Sequence, residues 1–77
     1  MSPEELYADW GRRVREAREA RGWRQSVLAE KTRLTQQAIS KVEAGLTGSS
    51  DDTRIRIANA LEMRVEDLFV YPEPVAG

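Results

Sequence analysis

Gln36, Gln37, Ser40 and Lys41 bring two carboxamides, a hydroxyl and an ammonium into one short stretch of the chain. Without an activating base, none of these groups attacks a bond. Together they donate and accept hydrogen bonds. A glutamine carries a donor beside an acceptor, which suits N6 and N7 of adenine at the edge of a base pair. Lys41, one helical turn further on, can reach a guanine or a phosphate. Two of the groups that most often carry acid–base or covalent chemistry are absent. The chain has no His and no Cys, and it shows neither a Gly-rich phosphate loop nor a paired-carboxylate motif. That argues against an enzyme, and neither a metal nor a cofactor is expected.

Those four residues need a helix, and the pattern supplies one with neighbours to hold it. Ser2-Pro3-Glu4-Glu5 reads as a capped helix start, and Leu6, Trp10, Val14 and Ala17 form one stripe up to a stop at Gly22, a first helix over about residues 3–21. A second helix runs over about 25–32 with Leu28 and Ala29 inward. Thr35 caps a third over about 36–44, with Ile39 and Val42 inward and Gly45 at its end. Asp51 and Asp52 open a fourth, which buries Ile57, Ala58 and Leu61, and a short fifth holds Val65, Leu68 and Phe69. Nothing reads as a strand. The second and third helices are joined by Arg33-Leu34-Thr35, the spacing of a helix-turn-helix. Packing two such helices nearly at right angles needs a small residue at Ala29 and apolar ones at Leu28, Leu34, Ile39 and Val42. It leaves Gln36, Gln37, Ser40, Lys41 and Ala44 outside.

Charge adds a second signal. The net charge is −1, yet residues 1–9 carry −3, residues 10–41 carry +6 and residues 42–77 carry −4. Phosphate attraction acts within a Debye length of about 10 Å, so the basic middle segment counts for more than the total. A solvated helix face could show the same clustering. The longest apolar run, Leu68-Phe69-Val70-Tyr71, is too short for a membrane span or a signal peptide, so a cytoplasmic protein is expected. Residues 1–71 read as one domain and residues 72–77 as a short tail.

The chain resembles the Cro and lambda-repressor-like helix-turn-helix family, often called XRE. The resemblance starts at Gly11-Arg12-Arg13-Val14-Arg15-Glu16-Ala17-Arg18 and runs through Arg21-Gly22, Gln25 and Leu28-Ala29-Glu30-Lys31. Its most specific part is Leu34-Thr35-Gln36-Gln37-Ala38-Ile39-Ser40-Lys41-Val42-Glu43-Ala44-Gly45. It closes with Ile57-Ala58-Asn59-Ala60-Leu61 and Val65-Glu66-Asp67-Leu68-Phe69. The resemblance implies an all-α, compact five-helix bundle that binds double-stranded DNA as a transcriptional regulator, expected to be a repressor. The third helix would lie in the major groove of a two-fold operator bound by a homodimer. Base contacts are expected from Gln36, Gln37, Ser40 and Lys41, and phosphate contacts from Arg24, Gln25, Thr35, Arg12 and Arg13. Arg18 and Glu43 match positions that form a buried ion pair in the family. Trp10 and Trp23 are expected at the core or its edge. No small-molecule ligand is expected. A protein-binding module that keeps this fold without DNA is the competing class, favoured by the acidic flanks.

Several residues depart from the family pattern. Arg33 and Glu62 stand where Gly is frequent, and Thr32 where an apolar residue is common. Arg54 and Asp51 stand where aliphatic residues often pack. Arg24 occupies the capping place of the second helix, with Ser26 and Val27 in place of acids. A basic residue there is unfavourable for the helix but favourable for an anion at its end. With no separate dimerisation domain, the dimer surface is expected at Phe69, Val70 and Tyr71, with Val70 and Tyr71 the more exposed pair.

Overall fold

A computed structural model of the chain describes residues 1–71. The helix α1 (Pro3–Ala20) begins with the reciprocal box expected of Ser2 and Glu5: the Ser2 hydroxyl accepts the Glu5 amide at 3.2 Å. It stops where Gly22 takes φ +70°, a conformation glycine adopts without strain. Next come α2 (Gln25–Thr32) and α3 (Gln36–Glu43), then α4 (Asp51–Ala60) and α5 (Val65–Leu68). Thr35 caps α3 by accepting the Ala38 amide at 3.0 Å, and Ser50 caps α4 by accepting that of Thr53 at 3.2 Å. Boundaries follow the sequence reading to within a residue, the fraying expected of helix ends.

The core is one cluster around Trp10, Val14, Leu28, Ile39, Ile57, Leu61, Leu68 and Phe69. Close approach of α1 to α3 depends on Gly11. A β-carbon there would collide with the carbonyl oxygens of Val42 and Glu43, so α1 lies against the backbone at the end of α3. Ala29 is buried where α2 meets the rest of the motif, as its small size requires.

The departures each have a local account. Arg33 and Glu62 both adopt left-handed backbone, φ 59° and 56°, which costs a non-glycine residue roughly 1–2 kcal/mol. Thr32 is buried and its hydroxyl donates back to the Leu28 carbonyl at 2.8 Å, so burial leaves no unpaired group. Arg54 lies 5.2 Å over the Trp10 ring and pairs with Asp51 at 2.6 Å. Its stem covers the aromatic surface that an aliphatic residue would cover.

Phe69 corrects the expected dimer surface. It is 2 % exposed and packs edge-on to Trp10, with ring centroids 5.6 Å apart. The helix α5 ends at Leu68 and Phe69 leaves the helical backbone at φ −102°, ψ 69°, with both side chains buried, so Phe69 belongs to the core. Val70 is half-buried, and its carbonyl accepts the Trp10 indole N–H at 2.8 Å. Tyr71 touches Trp10 edge-on yet stays 63 % exposed. The tail expected over 72–77 lies outside the described residues.

Candidate nucleic-acid interface

Gln36, Gln37, Ser40 and Lys41 are all exposed on α3, while Ile39, Val42 and Glu43 are buried on its other side. The Thr35 cap leaves its own hydroxyl hydrogen free to donate outward. The structure thus brings the four expected base-contacting side chains and Thr35 onto one surface.

The start of α2 is chemically different. Arg24 is its N-cap residue, makes no side-chain cap and is exposed. Val27 and Leu28 bond the Arg24 carbonyl at 3.0 and 3.3 Å, and the amides of Gln25 and Ser26, with no preceding turn to bond and no capping side chain, have no partner among the described residues. Unpaired amides at the positive end of a helix form a natural seat for an anion. The Gln25 side chain turns inward, donating from Nε2 to Glu43 Oε1 at 3.0 Å.

Arg18 and Glu43 form the expected ion pair. Arg18 Nε reaches Glu43 Oε2 at 2.7 Å and Nη2 reaches Oε1 at 2.9 Å, with side-chain exposures of 10 % and 3 %. The carboxylate raises the already high pKa of Arg18. Sequence reasoning missed two further links of this network. One is the Gln25 bond, and the other is the bond from Arg18 Nη1 to the Trp23 carbonyl at 2.7 Å. Polar residue types at 18, 25 and 43 were visible, but their mutual distances were not.

Arg12 and Arg13 are not presented as free cations. Asp9 holds Arg12 at 2.5 Å and Arg13 at 2.9 Å, and Glu16 also holds Arg12. At about 100° per residue, Arg13 lies on the side of α1 opposite Gly11, and therefore away from α3. There it borders Met63, Asp67 and Leu68. The structure therefore does not bring Arg13 together with the α3 surface.

Charge pairing divides the cations by position. Among the described residues, Arg12, Arg13, Arg15, Arg18, Arg54, Arg56 and Arg64 are ion-paired. Arg21, Arg24, Lys31, Arg33 and Lys41 have no acidic partner there, and all five fall between residues 21 and 41. Lys31 lies 4.8 Å over the Trp23 ring, which assigns Trp23 to the edge of the core. From Val42 to Thr53 there is no basic residue at all. Among the described residues no acidic cluster could hold a metal, and no helix is long and apolar enough to cross a membrane.

Among the described residues, five helices, a pair of them joined by a three-residue turn, and cations without an acidic partner confined to residues 21–41 define a helix-turn-helix DNA-binding domain. A family model described as helix-turn-helix matches residues 14–68, and the chain belongs to this XRE-type family. It is a DNA-binding transcription regulator and not an enzyme. The crystal structure of the restriction-modification controller protein C.AhdI from Aeromonas hydrophila is similar. Its TM-score is 0.78 at 31 % identity, covering 80 % of this chain and 94 % of that one. No curated protein matches the chain.

Proposed function

We propose that the chain is a cytoplasmic repressor that lays α3 in the major groove of a two-fold operator, bound as a homodimer. The observation that carries this reading is the position of the unpaired cations. Five lie within or beside the helix-turn-helix, and every other cation is already neutralised inside the protein. Gln36, Gln37, Ser40 and Lys41 contact base edges. Arg24, the open amides of α2, Gln25 and Thr35 contact phosphates, with Arg12 at the margin. Arg13 has no part, since it faces α5. Because the loop after α3 lacks cations, phosphate contacts concentrate on the α2 side.

A single recognition helix offers too few base contacts for a specific site, and pairing doubles them with the two helices about 34 Å apart, one turn of DNA. Val70 and Tyr71 provide the pairing surface, Tyr71 being the larger exposed group. The similarity to a restriction-modification controller supports a narrower version, in which the operator governs restriction-modification genes.

Selection from a random duplex library tests the reading. A two-fold motif with half-sites one helical turn apart is expected, bound with a salt slope of about −0.9 per neutralised phosphate. Failure to enrich any sequence, with no salt-dependent shift of duplex, favours the protein-binding module instead. Charged residues at both Val70 and Tyr71 should abolish cooperative binding to the full site and spare the half-site. If cooperativity survives that change but not a charge at Ile55, the pairing surface is the outer face of α4, where Ile55 is 47 % exposed.

A further inference from the structure

Glu43 is the last residue of α3, the end at which the helix macrodipole disfavours an acid, and it is buried. Its carboxylate accepts three hydrogen bonds. Two come from Arg18, at 2.7 and 2.9 Å, and the third from Gln25 Nε2, at 3.0 Å. The remaining terminal nitrogen of Arg18 donates to the carbonyl of Trp23, two residues before α2 begins. The network therefore spans α1, the turn into α2, the first residue of α2 and the last of α3.

The chemistry of that carboxylate fixes more than a helix angle. An ionised carboxylate only accepts hydrogen bonds, so Gln25 must turn its NH2 group toward Glu43. One N–H of that group is already used, and the other keeps a single direction. A free glutamine side chain is among those that lose most rotamer freedom on being fixed. Here the fixing occurs on folding, before any ligand arrives. Gln25 stands at the open start of α2, beside Arg24 and the unpartnered amides of Gln25 and Ser26.

We propose that Glu43 is a positioning residue for DNA binding. It fixes the Gln25 amide so that its remaining N–H meets a backbone phosphate, and it locks that contact to the far end of the base-reading helix. The inference rests on the reading above that the start of α2 meets a phosphate.

The test uses the full chain, its selected operator, and duplexes in which single phosphates are replaced by neutral methylphosphonates. Gln25→Ala should weaken binding about tenfold on the natural duplex, and by about twofold or less once one particular phosphate is neutral. In Glu43→Gln, measured where circular dichroism shows the variant folded, the added Gln25→Ala change should cost only about twofold on the natural duplex. If Glu43→Gln does not fold, the pair R18M/E43L removes both buried charges and serves instead, with the same loss expected. A merely structural ion pair lowers the melting temperature but leaves the tenfold effect of Gln25→Ala in place, and that result overturns the proposal. If Gln25→Ala has no phosphate-specific effect in the wild type, the clamp at α2 is wrong and the proposal falls with it. Sequence preference at α3 would then persist and keep the wider reading alive.

Discussion

The two helices of the motif have the same length, eight residues, and opposite construction. In α3 a threonine caps the start, one face is buried and the other carries exposed polar side chains. In α2 nothing caps the start, an arginine stands in the capping place, and two amides are left open. At the start of α3 the Thr35 hydroxyl takes the Ala38 amide, and the amides of Gln36 and Gln37 stay open. The start of α2 leaves as many amides open, but sets an exposed arginine beside them in place of a capping hydroxyl. A helix with an outer face of exposed polar side chains and a helix whose open start carries an arginine suit the two parts of a duplex, base edges and phosphates. The Arg18–Glu43 pair ties α1 to α3, and Gln25 ties the start of α2 to the same carboxylate.

Breaking that link should have the largest effect. Alanine at Arg18 or Glu43 leaves a buried charge without its partner, at a cost of about 3–5 kcal/mol. For a domain of this size each kcal/mol moves the melting temperature by about 4–8 °C, so these variants should be largely unfolded at room temperature or close to it. The double change R18M/E43L should restore most of the loss. Thermal melts followed by circular dichroism decide it. Single variants that melt within a few degrees of the wild type would show that α1 and α3 are held by apolar packing alone.

Changes on α3 should act on recognition without touching the fold. Gln36→Ala or Gln37→Ala should relax preference at particular operator positions by about 1–3 kcal/mol of discrimination. Both side chains are exposed, so the melting curve should be unchanged. Selection profiles of the variants against the wild type check this, and an unaltered profile in both would remove the glutamines from base reading.

At α2 the comparison predicts a trade in the opposite direction. Arg24→Ser supplies the missing cap, and stability should rise by about 1 kcal/mol. Affinity should fall about equally on all sequences, and the salt slope should shrink by about 0.9 per lost phosphate contact, twice that for a dimer. A variant that gains stability with unchanged affinity would make Arg24 a residue of the surface with no DNA contact.

These contrasts were partly legible in the sequence. Capping residues, stop glycines and apolar spacing placed the five helices, since each is a local signal. The outer face of α3 followed from the same periodicity. Arg24 was visible as a missing cap for the same reason. Long-range facts were out of reach. Phe69 was counted with Val70 and Tyr71 at the pairing surface, although it also matches a core position of the family, and the structure turns Leu68 and Phe69 in together. The bond from Gln25 to Glu43 joins residues 18 positions apart, and no local pattern encodes it. Arg12 and Arg13 looked like ordinary basic residues beside a motif. Asp9 lies three and four residues earlier on the same helix, so that pairing was available from spacing alone.

Asp9 sets the smallest of the expected effects, and it bears on the same contrast, because it neutralises cations on α1, whereas Arg24 at the start of α2 has no acidic partner among the described residues. The hydrogen bond from Arg13 lowers the pKa of Asp9 below the ordinary value of 3.8, and that from Arg12 adds to it. A carboxyl with a depressed folded-state pKa binds a proton more readily when the chain is unfolded. The stability it contributes is therefore complete above 3.8 and is lost as pH falls through the lower folded value. Both arginines are substantially exposed, with side-chain exposures of 48 % and 39 %, so screening keeps the contribution at about 0–1 kcal/mol. Asp9→Asn removes the titration and keeps the shape. At neutral pH the variant should be slightly less stable than the wild type. On acidification the wild type should lose that margin, and the two melting curves should meet once Asp9 is protonated in the folded protein as well. Added salt should narrow the gap at neutral pH, as it does for exposed pairs. Curves that stay parallel from neutral pH into acid would mean that the Asp9 contacts carry no net stability, and that Arg12 and Arg13 are as free as Arg24.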